Sequence, residues 1–525
     1  MASDRGIVLG ISIGSTKGCV AIYKDDMPVV VANDAGDRVT PCATTLSGKE
    51  NSLRVATRQE VVKGTGLIQG TLQLLCKTYE EVSKSSFVSR QICEVSEGPK
   101  GMPVFRISAE KSFTFTPRDA VTAVFAKLKE SAKSAAGRED AKDCVIAVPV
   151  SFTVQQRRAL QSAAEKAGLN VLRLLSEPAC ALLAYGIGQQ SSPNAGNVVV
   201  YDIGATSVNV SVVSVMSGLY RVVAEHSNPS LGGRNFDTAV AKHFAFEFQR
   251  KWKMDMTDNK RSMAKLRAAS ELCRQSLSSL NTASATVESL YDGMDFQSNM
   301  SRSRFEGICG PLFQQCLEPV NQALAKAGLA TTDISKVVIT GGCARTPKLR
   351  QWLDSFFQGK AEVLSSISSE EVIATGASLQ ANLLASNVDR DLEECLEMQS
   401  EMPCLSCGLA IALGTADGGS AQLHPVFPVS TPIPARSKLT LNVKPDQTCA
   451  VVTVCEHSPA SGEPARPVLR VVLKDLPATE QDKEIEISLS VAQSGVLKVS
   501  AKELSSKISA QVSTEPVQNG LSPGD

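Results

Sequence analysis

The sequence of 525 residues lacks any excess of charge, with 54 Lys and Arg residues balancing 54 Asp and Glu. That removes the broad basic face expected of a nucleic-acid or membrane-surface binder. It lacks an apolar run approaching the roughly 18 residues of a membrane-spanning helix. Its first residues, with Asp4 and Arg5, lack the apolar core of a secretory signal. It also lacks a cysteine framework. The 15 cysteines are scattered, and Cys404-Leu405-Ser406-Cys407 has neither a second Cys-x-x-Cys nor a histidine pair at zinc spacing. Reduced, packed thiols are the bland reading, with metal or redox use of that one pair as the alternative, and the expected compartment is the cytosol. An apolar fraction of 43% with 21% charged residues is ordinary for globular protein, and the length suggests roughly three to four domains.

What the sequence does contain is a repeat. Val198–Val213, VVVYDIGATSVNVSVV, runs from an apolar strand through Asp202 into a tight Gly-Ala-Thr-Ser turn and out along alternating valines. VLGISIGSTKGCVAIY, Val8 to Tyr23, follows the same design. Both read as β-hairpins whose turns expose backbone N–H groups and hydroxyls, suited to cradling phosphate. Superposing them matches Gly14 with Gly204 and Thr16 with Thr206, and two related lobes facing one ligand follow. Ser12 stands opposite Asp202.

Between and around the hairpins the pattern is α/β. Thr116 precedes a helix with Pro117 in its first turn, ending near Gly137. Cys144–Val148, a capped helix over Thr153–Ala167 and Val171–Leu175 form a strand–helix–strand unit. A helix over about 258–280 places Glu271, Arg274 and Ser278 on one face, either a solvated face or a ligand wall. Lys336–Thr340 is a buried-type strand running into Gly341-Gly342, which suits a nucleotide at a strand end or serves as plain turn geometry. Residues 386–401 turn acidic and polar and read as a linker. Beyond them, Ser406–Leu413, Lys438–Val443, Cys449–Val454, Val468–Leu473, Glu484–Val491 and Val496–Ala501 predict an all-β sandwich over 402–515. The polar residues 516–525 read as a disordered tail.

The blocks GISIGSTKGCV, VVANDAGDRVTP, CVIAVPVSFTVQQRRAL, GLNVLRLLSEPACALLAYGIG, LGGRNFD, VVITGGCARTPKL and VSTPIPAR occur in one order, and they resemble the 70-kilodalton heat-shock chaperone family from residue 6 to about 515. The chain is most similar to the short, ribosome-associated members that carry the β domain without a helical lid. The resemblance implies an α/β actin-like nucleotide-binding domain of two lobes over 1–385, followed by the sandwich. It implies ATP or ADP with Mg2+ as cofactors. By position, Gly14, Ser15 and Thr16 are the first phosphate loop, and Gly204, Ala205, Thr206 and Ser207 the second. Gly232 and Gly233 approach the phosphates. Glu271, Arg274 and Ser278 match the adenosine side, Gly341, Gly342 and Arg345 the adenine clamp, and Glu370 a nearby acidic position. Pro149 and Arg157 match a relay between domains. Glu177 and Asp202 match retained catalytic carboxylates, Asp202 holding the metal through water.

The departures fall at the catalytic positions. Ser12 replaces an acidic residue, and the family's lysine near the attacking water aligns with Leu72, with Lys63 or Lys77 as possible substitutes. Asn209 replaces a second acid; on the adenine side, Cys343 replaces a serine and Gln275 an arginine. Phosphoryl transfer rests on charge neutralisation at the terminal phosphate, and removing one such group costs about 100- to 1000-fold in rate. The expectation is therefore nucleotide binding with weak or absent hydrolysis, in a chaperone component working with a zuotin-type J-domain partner, the ribosome and nascent polypeptides. No nucleic-acid or membrane footprint is expected. The competing readings are a conventional ATP-hydrolysing peptide-binding chaperone, a small-molecule kinase and a nucleotide-independent scaffold.

Overall fold

The computed structural model describes residues 7–47, 52–63, 66–84, 93–108, 112–138, 141–189, 196–216, 219–386, 405, 408–414, 423–427, 431, 433–457, 466–478, 482–492 and 496–514. The chain divides into two compact units, 1–390 and 391–525. Lys63 closes a short helix, Arg58–Lys63, but its side chain is not among those described. Cys404, Cys407, the 386–401 linker beyond Ser386 and the 516–525 tail lie outside the described residues.

Two sheets of the same topology build the first unit. In one, β1 (Leu9–Ile13), β2 (Lys17–Lys24) and β3 (Met27–Val30) form an antiparallel meander, with Thr40–Pro41 added to β2. β4 (Asp143–Val148) joins β1 in parallel, and β5 (Asn170–Ser176) joins β4 in parallel. In the other, β6 (Gly196–Ile203), β7 (Val208–Met216) and β8 (Leu219–Asn228) are the meander, and β9 (Ile334–Thr340) and β10 (Glu362–Leu364) add in parallel. The orders are β5-β4-β1-β2-β3 and β10-β9-β6-β7-β8, so the hairpin repeat is the centre of a repeat of whole sheets.

Local chemistry sets the helices that cover them. Thr116 caps α1 (Pro117–Ala136) and Thr153 caps α2 (Val154–Lys166), each hydroxyl accepting from the backbone N–H three residues on. Val121, Val124, Phe125 and Leu128 of α1 pack on Leu9, Ile11 and Ile146 of the first sheet. Phe236, Phe244 and Phe248 of α4 (Gly233–Trp252), with helix α6 (Gly310–Ala327), cover Tyr201, Val208 and Val210 of the second.

Between the sheets lie α3 (Glu177–Ala184) and α7 (Val372–Ser386), which bury Ala181, Leu182, Val372 and Ala377 against Val145, Val200 and Val338. Here two glycines have no alternative. A Cβ at Gly376 would sit 1.8 Å from the Cys180 carbonyl oxygen, and one at Gly10 would sit 2.1 Å from Ser378 N. The helices therefore cross each other and β1 at backbone contact, which holds the lobes in register.

The second unit is a sandwich of two four-stranded antiparallel sheets. Leu423–Phe427, Gly408–Gly414, Ala450–His457 and Arg466–Leu473 form one; Ala435–Val443, Lys483–Val491, Leu497–Glu503 and Ser509–Ser513 form the other. Alternation drives it: Ile485, Ile487, Leu489 and Val491 are buried while the residues between them are not. Leu423–Phe427 and Ser509–Ser513 were not expected as strands. Among the described residues no helix follows Ser386, and no helix is long and apolar enough to cross a membrane.

Candidate functional site

The two hairpin turns face one cleft of about 530 Å³, within the range of small-molecule sites of roughly 300–1,000 Å³. Each turn is closed identically: Gly14 N–H donates to the Lys17 carbonyl at 2.8 Å, and Gly204 N–H to the Ser207 carbonyl at 2.9 Å. The strand register pairs Ser12 with Cys19 and Asp202 with Asn209. The one-acid, no-acid contrast therefore falls at equivalent points of the two sheets.

Of the expected residues, Gly14, Ser15, Thr16, Gly204, Ala205, Thr206, Ser207, Asp202, Glu177, Glu271, Arg274, Gly341, Gly342, Glu370 and Pro149 line this cleft. Five expected residues do not, and each has a structural place. Gly232 and Gly233 sit behind the second turn. A Cβ on Gly232 would come within 2.7 Å of Thr206 N, while Gly233 N–H donates to the Gly204 carbonyl and Arg234 N–H to the Ala205 carbonyl. Ser278 lies past the end of α5 (Lys260–Ser276), which stops short of the expected 280, and its hydroxyl donates to the Arg274 carbonyl at 3.4 Å. Arg345 turns outward to Ser368 Oγ, at 2.9 Å, and Glu370. Arg157 donates to the Phe152, Val150 and Pro149 carbonyls, so it fixes the segment bearing Pro149 from outside the cleft.

Asp202 is the best-supported carboxylate. Its neighbour in the parallel register, Thr340, donates to Oδ1 at 3.0 Å; Asn209 Nδ2 donates to Oδ2 at 3.3 Å. The Ser227 hydroxyl donates to Asn209 Oδ1 at 2.6 Å, which turns the amide so that its N–H group faces Asp202. Burial nonetheless pushes the Asp202 carboxyl up from its ordinary value. Glu177, at the first turn of α3, is pushed up to about 8 by burial and then by the charges of Asp202 and Glu225. Gly341 completes this corner. Its φ of 88° suits glycine, and a Cβ would lie 2.3 Å from the Ile203 carbonyl oxygen and 2.7 Å from Asp202 Oδ1.

These donors fit Mg2+. Asp202 and Glu177 bring hard carboxyl oxygens to the cleft wall, and among the described residues no cluster of three or more His, Cys, Asp or Glu side chains forms a full cage. That is the pattern of an ion held by one or two carboxylates, water and the ligand's own phosphates.

At the other end, Arg274 makes a two-bond ion pair with Asp237, Nε to Oδ1 at 2.7 Å and Nη2 to Oδ2 at 3.2 Å, both side chains about 8% exposed. Gln275 donates to Glu271 at 3.1 Å, so the residue in the arginine position braces its own helix. Cys343 is buried, and its thiol is pushed up to about 11, first by burial.

Sequence reasoning missed Gln73, Lys17, Thr340 and Asp237. Lys17 Nζ pairs with Glu370 Oε1 at 2.8 Å. Leu72 carries no charge into the cleft wall and is 7% exposed, packed with the core of the first sheet. Lys77, named as a possible substitute, lines the same cleft.

The family model described as Hsp70 protein matches residues 8–524. The chain is 37% identical over 510 residues to "Heat shock 70 kDa protein 14" of Danio rerio, covering 97% of this chain and 98% of that protein. It is 37% identical over 512 residues to the Xenopus tropicalis protein of the same name, covering 97% and 99%. With the Homo sapiens protein it shares 36% identity over 498 residues, covering 94% and 96%.

Proposed function

The chain belongs to the Hsp70 family of chaperones, and we propose that it is a nucleotide-binding chaperone component that holds ATP or ADP with Mg2+ and hydrolyses ATP weakly or not at all. The observation that carries this reading is the asymmetry of the paired hairpins. Gly14–Thr16 and Gly204–Ser207 line one cleft, but only the second hairpin brings a carboxylate. Binding draws on turns, glycine contacts and the Arg274–Asp237 brace, which are all in place. Hydrolysis draws on charge at the terminal phosphate, and Ser12 and Leu72 supply none.

When bound, Mg2+ neutralises phosphate charge. The chain's own contributions are to orient Asp202 through Thr340 and Asn209, and to close the base side with Glu271, Arg274 and Gly341-Gly342. The finer role, partnership with a zuotin-type J-domain protein at the ribosome in service of nascent polypeptides, is supported by the resemblance to the short members of the family. A cytosolic protein with the β-sandwich as its second domain belongs to the same reading.

Thermal unfolding with Mg2+·ATP, together with steady-state turnover, tests the core of it. Ligand at about 100 times its dissociation constant stabilises by about 2.7 kcal/mol, while turnover stays about 100-fold or more below that of a conventional family member. Ordinary turnover that Asp202→Asn abolishes would overturn weak hydrolysis, and no thermal shift would overturn nucleotide binding. Sedimentation of lysate tests the partnership: migration only as free monomer, unchanged by added J-domain protein, would remove it.

A further inference from the structure

The tips of the two hairpins are joined by side chains of the protein itself. Thr206 Oγ1 of the second hairpin donates to Ser15 Oγ of the first at 2.9 Å. Gln73 Nε2 donates to both, at 3.1 Å to Ser15 Oγ and 2.5 Å to Thr206 Oγ1. The three bonds link residues 58, 133 and 191 positions apart, and none involves a charge.

Each corner of this triangle is anchored from behind. Gln73 belongs to the short turn Thr71–Leu74, whose Thr71, Leu72 and Leu74 are buried, and Gln156 of α2 donates to the Leu75 carbonyl at 3.3 Å. The first hairpin is pinned where Cys42 N–H donates to the Thr16 carbonyl at 2.7 Å. The second rests on the first turn of α4 through Gly233 and Arg234. Side chains locked from behind hold a geometry that free ones do not.

We propose that Gln73 is the positioning residue of the phosphate end of the cleft, its amide setting the first hairpin against the second so that protein side chains, rather than a terminal phosphate, fix the distance between the lobes. Where a charged terminal phosphate must bridge two loops, a nucleoside triphosphate closes the cleft and a diphosphate does not. A neutral clasp made by Gln73, Ser15 and Thr206 removes that difference. The consequence is a site that takes nucleoside di- and triphosphates with similar affinity. The consequence for ligands rests on the nucleotide-binding reading above; the clasp does not.

The test uses the full chain and Gln73→Glu, which keeps the shape of the side chain but removes both N–H donors, with Gln73→Ala as a second variant. Amide hydrogen exchange without added nucleotide reads the clasp. Both variants are expected to lose protection about tenfold in the segments around Ser15 and Thr206, with unchanged protection in the β-sandwich showing that the chain is folded. Calorimetric titration with Mg2+·ADP and Mg2+·ATP reads the ligand consequence. The wild-type affinities are expected to agree within about threefold and those of Gln73→Ala to diverge. Unchanged exchange at both hairpins in both folded variants would overturn the clasp, as would wild-type affinities already tenfold or more apart. Lost protection together with no nucleotide binding by any form would support the clasp and overturn the nucleotide reading instead.

Discussion

Glu177→Gln converts the electrostatics of the cleft into a stability measurement. In the folded chain the Glu177 carboxyl is pushed from 4.5 up to about 8, first by burial and then by Asp202 and Glu225. A carboxyl raised by folding binds its proton more tightly in the native than in the unfolded state. Its contribution is therefore fully present below about pH 4.5 and is lost as pH rises through about 8. Each pKa unit is worth about 1.4 kcal/mol, which would make the loss about 5 kcal/mol. Glu177 lines the cleft and is only partly covered, so solvent screening reduces this to about 2–4 kcal/mol. Glutamine keeps the shape and cannot ionise. In urea unfolding without Mg2+ or nucleotide, wild type and Glu177→Gln are expected to be nearly equal at pH 5. At pH 8.5 the variant should be more stable by about 2–4 kcal/mol. Parallel loss of stability by the two proteins across that range would refute the placement of Glu177 as a carboxyl held against charge.

Asp202→Asn keeps its Thr340 contact but removes the carboxylate, and is expected to weaken Mg2+·ATP binding by calorimetry about 10- to 100-fold; unchanged affinity would remove Asp202 from the metal's surroundings. Asp237→Asn leaves Arg274 buried with a poorer partner, and chemical denaturation should show a loss of about 3–5 kcal/mol. A loss below 1 kcal/mol would mean that the pair is exchangeable for a neutral contact. Gly376→Ala drives a methyl group into the Cys180 carbonyl oxygen. Because that obstacle is backbone, the expected cost is at or above the usual 1–3 kcal/mol of overpacking, seen as a lowered melting temperature.

The parts of this fold that were legible in the sequence are those set by neighbours along the chain. Thr116 and Thr153 announce helix starts through residues three positions away, and both capping boxes form. The alternating valines after Asp202 place β7, and apolar alternation places most of the sandwich. The two sandwich strands that were missed carry weak signals. Leu423–Phe427 contains Pro425 and forms an edge, where proline is tolerated; Ser509–Ser513 is short and largely polar. The long helix around Glu271 was expected to reach about 280, but it ends at Ser276, after which the chain turns toward the strand beginning at Thr282. In the site, glycines and acids stood out as residue types, whereas Gln73 did not. A glutamine acquires meaning only from what lies 58 and 133 positions away, and no local pattern encodes that. The same holds for Lys17 with Glu370, 353 positions apart.

The loss of the acid from the first hairpin reaches beyond one residue. In the second sheet, Asp202 is opposed by Asn209, and Thr340, Asn209 and Ser227 form a chain of donors that suits a single carboxylate. An acid at Asn209 would place like charge against Asp202, so the amide is the complement of one charge, not a weakened copy of two. In the first sheet, Ser12 is opposed by Cys19. That thiol is buried, donates to the Arg38 carbonyl at 3.6 Å, and is raised by burial and by the charges of Glu371 and Glu370. A carboxylate restored at Ser12 would therefore lie opposite a buried thiol, where Asp202 lies opposite an amide donor. Lys17, the cation nearest in sequence, is already engaged by Glu370. The second hairpin carries a carboxylate with its own donors, and the first carries none. Replacing Ser12 alone does not rebuild a symmetric site, because the facing residue is Cys19 in the first sheet and Asn209 in the second.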